Sequence, residues 1–367
     1  MKNKSIGISY ILIFFFIGSV SQVYSQTKVI RANAVKSNDY GVQYFLPKTI
    51  LEIDIEYTET KQKAGPYARY AARYLGVNDS EVVTDDKTVY SFNKISVSEI
   101  GIPNKHQSYL VAFKSKTTAP FVYLTEEGVI CSINAEYTPE NNPKQTVNVH
   151  HSNTASGVSS INPQSLYTEE YLHAGSISKM AEVAAKNIYR IRESRQDILT
   201  GETDNVPKDG EAIKLILDKL DAQEKSWTGL FLGTKEVTVK NKRFTLEPDD
   251  EIEKEILFRF SKYLGIVVAD DLSGSPFYLN LKNLHTVEIP TDDPKAKKKE
   301  AESIVYNVPG KAQLEIFTDK KKVYSETINI TQFGITRILE TAVFEDKKAP
   351  VKILFYPHLG AIRQIIQ

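Results

Sequence analysis

The chain has 367 residues, with 46 basic and 46 acidic side chains and a single cysteine. The balanced charge excludes the basic excess that gathers a polyanion, so no nucleic-acid partner is expected. One thiol excludes an intramolecular disulfide, which leaves a hydrophobic core to hold about two domains' worth of chain.

Residues 1–25 read as a cleavable signal peptide. Lys2 and Lys4 supply a positive start, residues 6–20 form an apolar run, and Val23 and Ser25 fit a small-residue cleavage rule that leaves Gln26 as the new amino terminus. The run is shorter than the roughly 18–20 residues that cross a bilayer, so no transmembrane anchor is expected after cleavage. A lipid anchor needs a cysteine at the cleavage point, and the one cysteine is Cys131. The mature chain is therefore expected outside the cytoplasm, with 44 basic against 46 acidic residues once the two signal lysines are gone.

Residues 26–137 read as a strand-rich α+β domain. Leu51, Ile53, Ile55 and Tyr57 alternate with Glu52, Asp54, Glu56 and Thr58, the period of a half-buried strand. Strands are predicted over 42–46 and 50–58, separated at Pro47, and over 88–97 and 107–114. A hairpin is predicted from 121–124 and 129–133 across Glu127-Gly128. A short helix over 66–75 opens at Pro66 and closes at Gly76.

Residues 138–175, rich in Asn, Ser, Pro and Thr, read as a linker or long loop. Residues 176–233 carry the clearest helical periodicity. Ile177, Met180, Ala184, Ile188, Ile191 and Ile198 form one stripe over 176–199, ended by Gly201; a second helix over 209–231 is antiparallel to it because the connection is short. Residues 234–367 return to strands and predict a C-terminal β domain of sandwich or barrel-like form. The fold class is α+β, mostly β, with the helical hairpin between two strand-rich parts. Arg73-Tyr74-Leu75-Gly76-Val77 echoes Lys262-Tyr263-Leu264-Gly265-Ile266, and the hairpin from Ala119 echoes the one from Ala349, which suggests a duplicated module.

The segments from Tyr44 (YFLPKTILEIDIEY), Ala64 (AGPYARYAARYLGV), Ile188 (IYRIRESRQDILTGE) and Pro207 (PKDGEAIKLILDKLDAQE) together resemble a family of exported bacterial proteins catalogued as domain of unknown function 4831. The resemblance implies export and a Gram-negative envelope setting, in the periplasm, on the outer membrane or outside the cell. It implies no catalytic residue.

The fingerprints of zincins, α/β-hydrolases, P-loop enzymes and dinucleotide-binding folds are missing, and no catalytic residue, metal ligand or cofactor is assigned. Ser176-x-x-Lys179 matches the spacing of a serine–lysine nucleophile pair, but its companion motifs are missing or misplaced, and Ser176 or Ser178 as a helix N-cap explains the same residues. His150, His151 and His173, with Glu169 and Glu170, lack the helical spacing that aims two ligands at one ion. Asp204, Asp209 and Glu211 fit a helix start better than a calcium loop. Arg190, Arg192 and Arg195 are the candidates for meeting an anionic partner. The expected function is a non-enzymatic binding or scaffold module for an envelope protein or a glycan. The alternative is a hydrolase acting on peptidoglycan or glycan, since carboxylates brought together from distant segments leave no local motif.

Overall fold

A computed structural model describes residues 28–31, 41–112, 121–137, 167–202, 209–288, 303–340 and 351–366. Two long strands organise them, β2 (Gly41–Lys63) and β3 (Lys87–Ala112), paired antiparallel along nearly their whole length. With β1 (Lys28–Arg31) and β6 (Thr234–Leu246) they form a sheet of order β1-β3-β2-β6. The two strands expected on either side of Pro47 are thus one. Pro47 lacks an N–H but sits at a register shift, where the ladder does not need that donor, so the strand continues past it.

A five-stranded sheet lies against the middle of this one. It contains β7 (Ile252–Ser261), β8 (Gly265–Val267), β9 (Ser275–Asn283), β10 (Ser303–Phe317) and β11 (Lys322–Glu340) in the order β11-β10-β9-β7-β8. Leu51, Ile53 and Ile55 of β2 and Ile95 of β3 meet Phe258, Leu279, Leu281, Leu314, Ile316 and Ile328 in a sandwich core; among the described residues no barrel closes. A third sheet, with β4 (Val122–Leu124), β5 (Ile130–Ile133), β12 (Lys352–Tyr356) and β13 (Ala361–Ile366), has the order β13-β12-β5-β4 and closes a second core on Tyr44, Tyr109 and Ile304. Strand pairing mixes the two ends of the chain, because β6 joins β2 and β12 joins β5.

The hairpin echo has a structural counterpart. Tyr44-Phe45-Leu46-Pro47 enters β2 as Tyr306-Asn307-Val308-Pro309 enters β10, and Leu51-Glu52-Ile53 follows the first as Leu314-Glu315-Ile316 follows the second. Opposite each proline the partner strand makes a four-residue excursion, at 104–107 in β3 and at 331–334 in β11. The Phe45 N–H donates to Gly128 O at 2.9 Å, and the Asn307 N–H donates to Gly360 O at 2.9 Å. Gly128 and Gly360 both adopt positive φ, at 84° and 65°, in the turns of β4–β5 and β12–β13. One strand, excursion and hairpin unit is therefore used twice. The Tyr-Leu-Gly echo is not part of it, since Gly76 caps a helix whereas Gly265 turns β7 into β8. What those two share is a glycine that supplies positive φ to stop an element.

The helices form a third core. A 3-10 turn (Ala68–Tyr70) runs into α1 (Ala71–Leu75), and α2 (Glu169–Leu172) lies within the segment expected to be a loop. The Thr168 side chain accepts from the Tyr171 N–H and nucleates that turn. Next come α3 (Ile177–Thr200), capped by Ser176 and ended by Gly201 at φ 76°, and α4 (Gly210–Leu232), capped by Asp209. Tyr67, Ala71, Tyr171, Ala181, Ala184, Ile188, Trp227 and Phe231 fill the core between them.

Candidate functional site

Sequence periodicity runs the full length of α3 and α4, but the covering layer does not. On α3, Ala184 is buried, and Ile191 and Ile198 repeat its position one and two heptads on. On α4, Leu220 and Ile213 repeat the position of Trp227, and Ile216 lies two heptads before Leu230. Trp227 is covered by Tyr167, at 6.2 Å between ring centroids, and by Tyr171, at 5.4 Å, while Phe231 is covered by Tyr67 at 5.5 Å. Ile191 packs at the edge of the helical core, and beyond it Ile198, Ile213, Ile216, Leu217 and Leu220 are only half-buried. Among the described residues, no side chain from Tyr189 to Ser226 is fully buried. The far ends of the two helices form, among the described residues, an arm two helices thick, with a partly exposed apolar stripe on each.

The base of the arm carries a second sign of incomplete packing. Asn187 Nδ2 on α3 and Thr228 Oγ1 on α4 are, among the described residues, the buried side-chain polar atoms without a hydrogen-bond partner. They occur where the aromatic layer ends.

Two of the three candidate arginines hold the arm together. Arg192 Nε lies 2.6 Å from Glu224 Oε1, and Arg195 Nη1 lies 2.7 Å from Asp221 Oδ1 and also contacts Glu224. Glu224 occupies the heptad position of Phe231, so charge replaces apolar contact between the helices there. Arg190 is exposed on α3 beside these pairs.

The other candidates are spread out. Ser176 Oγ accepts from the Lys179 N–H at 3.2 Å, and Lys179 Nζ points to Glu182 at 3.1 Å, so both are engaged as helix start and i, i+3 pair. His173 and Glu169 are exposed side chains 3.9 Å apart. The Asp209 carboxylate accepts from the Glu211 N–H. His150, His151 and Asp204 lie outside the described residues, as do residues 1–25. Among the described residues no group of three or more His, Cys, Asp or Glu side chains is placed to hold a metal, and no helix is long and apolar enough to cross a membrane. Cys131 is buried, which pushes its thiol pKa up to about 11 and leaves it protonated and unreactive.

One charged cluster was not anticipated. Glu59 of β2 is 5% exposed and lies on the same side of the strand as Leu51, Ile53, Ile55 and Tyr57. Lys240 Nζ of β6 sits 2.9 Å from Glu59 Oε1, Tyr90 Oη of β3 donates to the same oxygen at 2.8 Å, and Lys61 approaches Oε2 at 3.6 Å. The hydrogen bond from Lys240 is the main force holding the carboxyl pKa below its usual 4.5, with Tyr90 adding to it against desolvation. An acid poised to give up a proton needs the opposite shift, so the cluster is a clamp joining β6 to β2 and β3. The signal for it was a carboxylate at core parity in an alternating strand.

A depressed carboxyl pKa stabilises the fold above the unfolded value and loses that contribution as pH falls through the folded one. Thermal midpoints of the natural chain should therefore drop as pH is lowered below about 4.5, the ordinary value for this group. Glu59→Gln should start lower at pH 7 and decline less steeply; equal acid slopes for the two proteins would show that the clamp contributes nothing.

A family model described as a domain of unknown function, DUF4831, matches residues 40–363. No curated protein and no solved structure matches the chain.

Proposed function

The chain belongs to the family described as domain of unknown function 4831, and we propose that it is an exported, non-enzymatic binding module of the cell envelope that docks a protein partner on its helical arm. The observation that carries this reading is the continuation of the α3 and α4 stripes past the aromatic layer that covers their bases. A two-layer arrangement leaves part of each such side chain in water, and a side chain of this size gains up to about 1 kcal/mol when the remaining area is covered. The sandwich cores act as the rigid support, and the arm presents a docking face on regular helices rather than loops. Arg190 sits on the flank, available to an acidic group at the rim of the partner.

The test is site-specific photo-crosslinking in intact envelopes. A photoreactive residue replaces Lys219 on the arm or, as a control, Lys352 on the third sheet; both are exposed. Position 219 should yield one protein adduct of defined stoichiometry that disappears when Ile213→Lys is added. Identical adducts from both positions, no protein adduct from position 219, or recovery of peptidoglycan fragments alone would remove the reading.

A further inference from the structure

The duplicated unit ends in a hairpin, and the two hairpins agree pair by pair. In the first, Val122 faces Ile133 and Tyr123 faces Ser132, and a register shift precedes the pairing of Leu124 with Ile130. In the second, Ile353 faces Ile365 and Leu354 faces Gln364, and the same shift precedes the pairing of Phe355 with Ile362. Val122 thus corresponds to Ile353, Ile133 to Ile365, Tyr123 to Leu354 and Ser132 to Gln364. The third sheet joins the hairpins by pairing β12 with β5, Ile353 facing Ile133 and Leu354 facing Ser132. That seam sets the first strand of one hairpin against the second strand of the other. In the order β13-β12-β5-β4 the strands left at the margins are a second strand, β13, and a first strand, β4. The margins therefore offer the same two edges that the seam joins.

At the seam Ile133 and Ile353 are both 0% exposed, whereas their counterparts at the margins are open to water, Ile365 at 49% exposure and Val122 half-buried. Phe121, just before β4, is 58% exposed. Edge strands that stay unpaired are commonly blunted with charge or proline, and Val122-Tyr123-Leu124 and Gln364-Ile365-Ile366 carry neither. Among the described residues no further strand pairs with either margin.

We propose that β13 of one copy of this chain adds to β4 of another, head to tail, repeating between molecules the seam that joins β12 to β5 within one. The seam itself names the occupant. What this molecule seats on a first-strand edge of the unit is a second strand of the same unit, and the same register puts Val122 opposite Ile365 and Tyr123 opposite Gln364. Ile365 is then covered as Ile133 is. Because the contact joins unlike edges, it runs on into a ring or a chain of copies. The seam is only a few residue pairs long, well short of the ~1,200 Å² of a stable interface, so a dissociation constant on the order of 100 μM is expected. It uses a different face from the arm, and its failure would leave the docking reading untouched.

Disulfide trapping of the full chain as the cell processes it, at ~1 mM so that most copies are engaged, tests the proposal. Residues directly opposite one another across antiparallel strands lie about 4.5–5.5 Å apart, within reach of a disulfide, and the native Cys131 is buried. Under mild oxidation a mixture of Val122→Cys and Ile365→Cys chains should give a band at twice the chain mass. Either variant alone should give none, since unlike edges meet. Nor should Val122→Cys mixed with Gln364→Cys, because a shift of one residue puts the two side chains on opposite faces. Should Val122→Cys lower the thermal midpoint, the mixture of Tyr123→Cys with Gln364→Cys decides instead, its pair lying on the other face of the sheet. The absence of a band from both in-register mixtures overturns the proposal. So does an equal band from Val122→Cys or Ile365→Cys alone, or from the out-of-register mixture.

Discussion

Gly334→Ala is expected to lower unfolding free energy by about 3 kcal/mol, as measured by chemical denaturation. A methyl group at this position would lie 2.0 Å from Val308 O and 2.8 Å from Gly310 N, both backbone atoms that cannot step aside as a side chain would. Gly310 faces the reciprocal problem, with its methyl 2.2 Å from Phe333 O. Two glycines thus let β10 and β11 close on each other where the excursion at 331–334 begins and ends. That excursion carries Thr331 to Thr49 of β2, where each hydroxyl accepts the other residue's N–H at 2.9 and 3.0 Å, and Gln332 Nε2 donates to Thr49 O at 2.8 Å. Forcing the strands apart therefore disturbs the contact between the two repeated units as well as the local ladder. Gly210→Ala is the matched control. Its methyl meets nothing within 4 Å at the start of α4, and the change should be neutral or stabilising by about 0.5 kcal/mol. Equal midpoints for Gly334→Ala and the unmodified chain would show that the backbones can separate without cost.

Phe231→Ala is expected to remove about 4 kcal/mol from the helical core, since a large side chain with no exposed surface leaves a cavity that its neighbours cannot fill. Trp227 is in the same cluster and reports on it directly. Its emission should shift to the red at lower denaturant in the variant, ahead of the loss of strand signal in circular dichroism. The separation follows from the distribution of apolar contacts, because the helical core shares no residue with the two sheet cores. A hydrogen bond from Val83 N–H to Leu232 O, at 2.9 Å, ties the end of α4 to the segment that leads into β3. If both signals still change together in the variant, the three cores unfold as one unit.

Much of the secondary structure was legible in the sequence because its determinants are local. The stripes of α3 and α4, a serine cap at the start of α3 that the structure places at Ser176, Asp209 at the start of α4, and Gly201 at the end of α3 act within one or two turns of chain. Alternation in Leu51 to Thr58 likewise identified β2, and the spacing around Gly128 identified the β4–β5 hairpin. Pro47 misled, since its missing N–H reads as a break until the partner strand is seen to shift register there. The short helix α2 was hidden by polar neighbours, with only Thr168 to mark its start.

The sequence by itself determined most of the helices and strands and the apolar face of each, because these depend on neighbours a few residues away, and motifs spread along the chain place it in its family. Only the tertiary structure decided that β6 joins β2, that β12 joins β5, and that Lys240 meets Glu59, since these contacts link positions far apart in sequence and no local period records them. It also decided, among the described residues, where the helical core stops. Apolar residues recur along both helices, and whether a given turn is buried or partly exposed depends on where the aromatic layer from Tyr67, Tyr167 and Tyr171 stops.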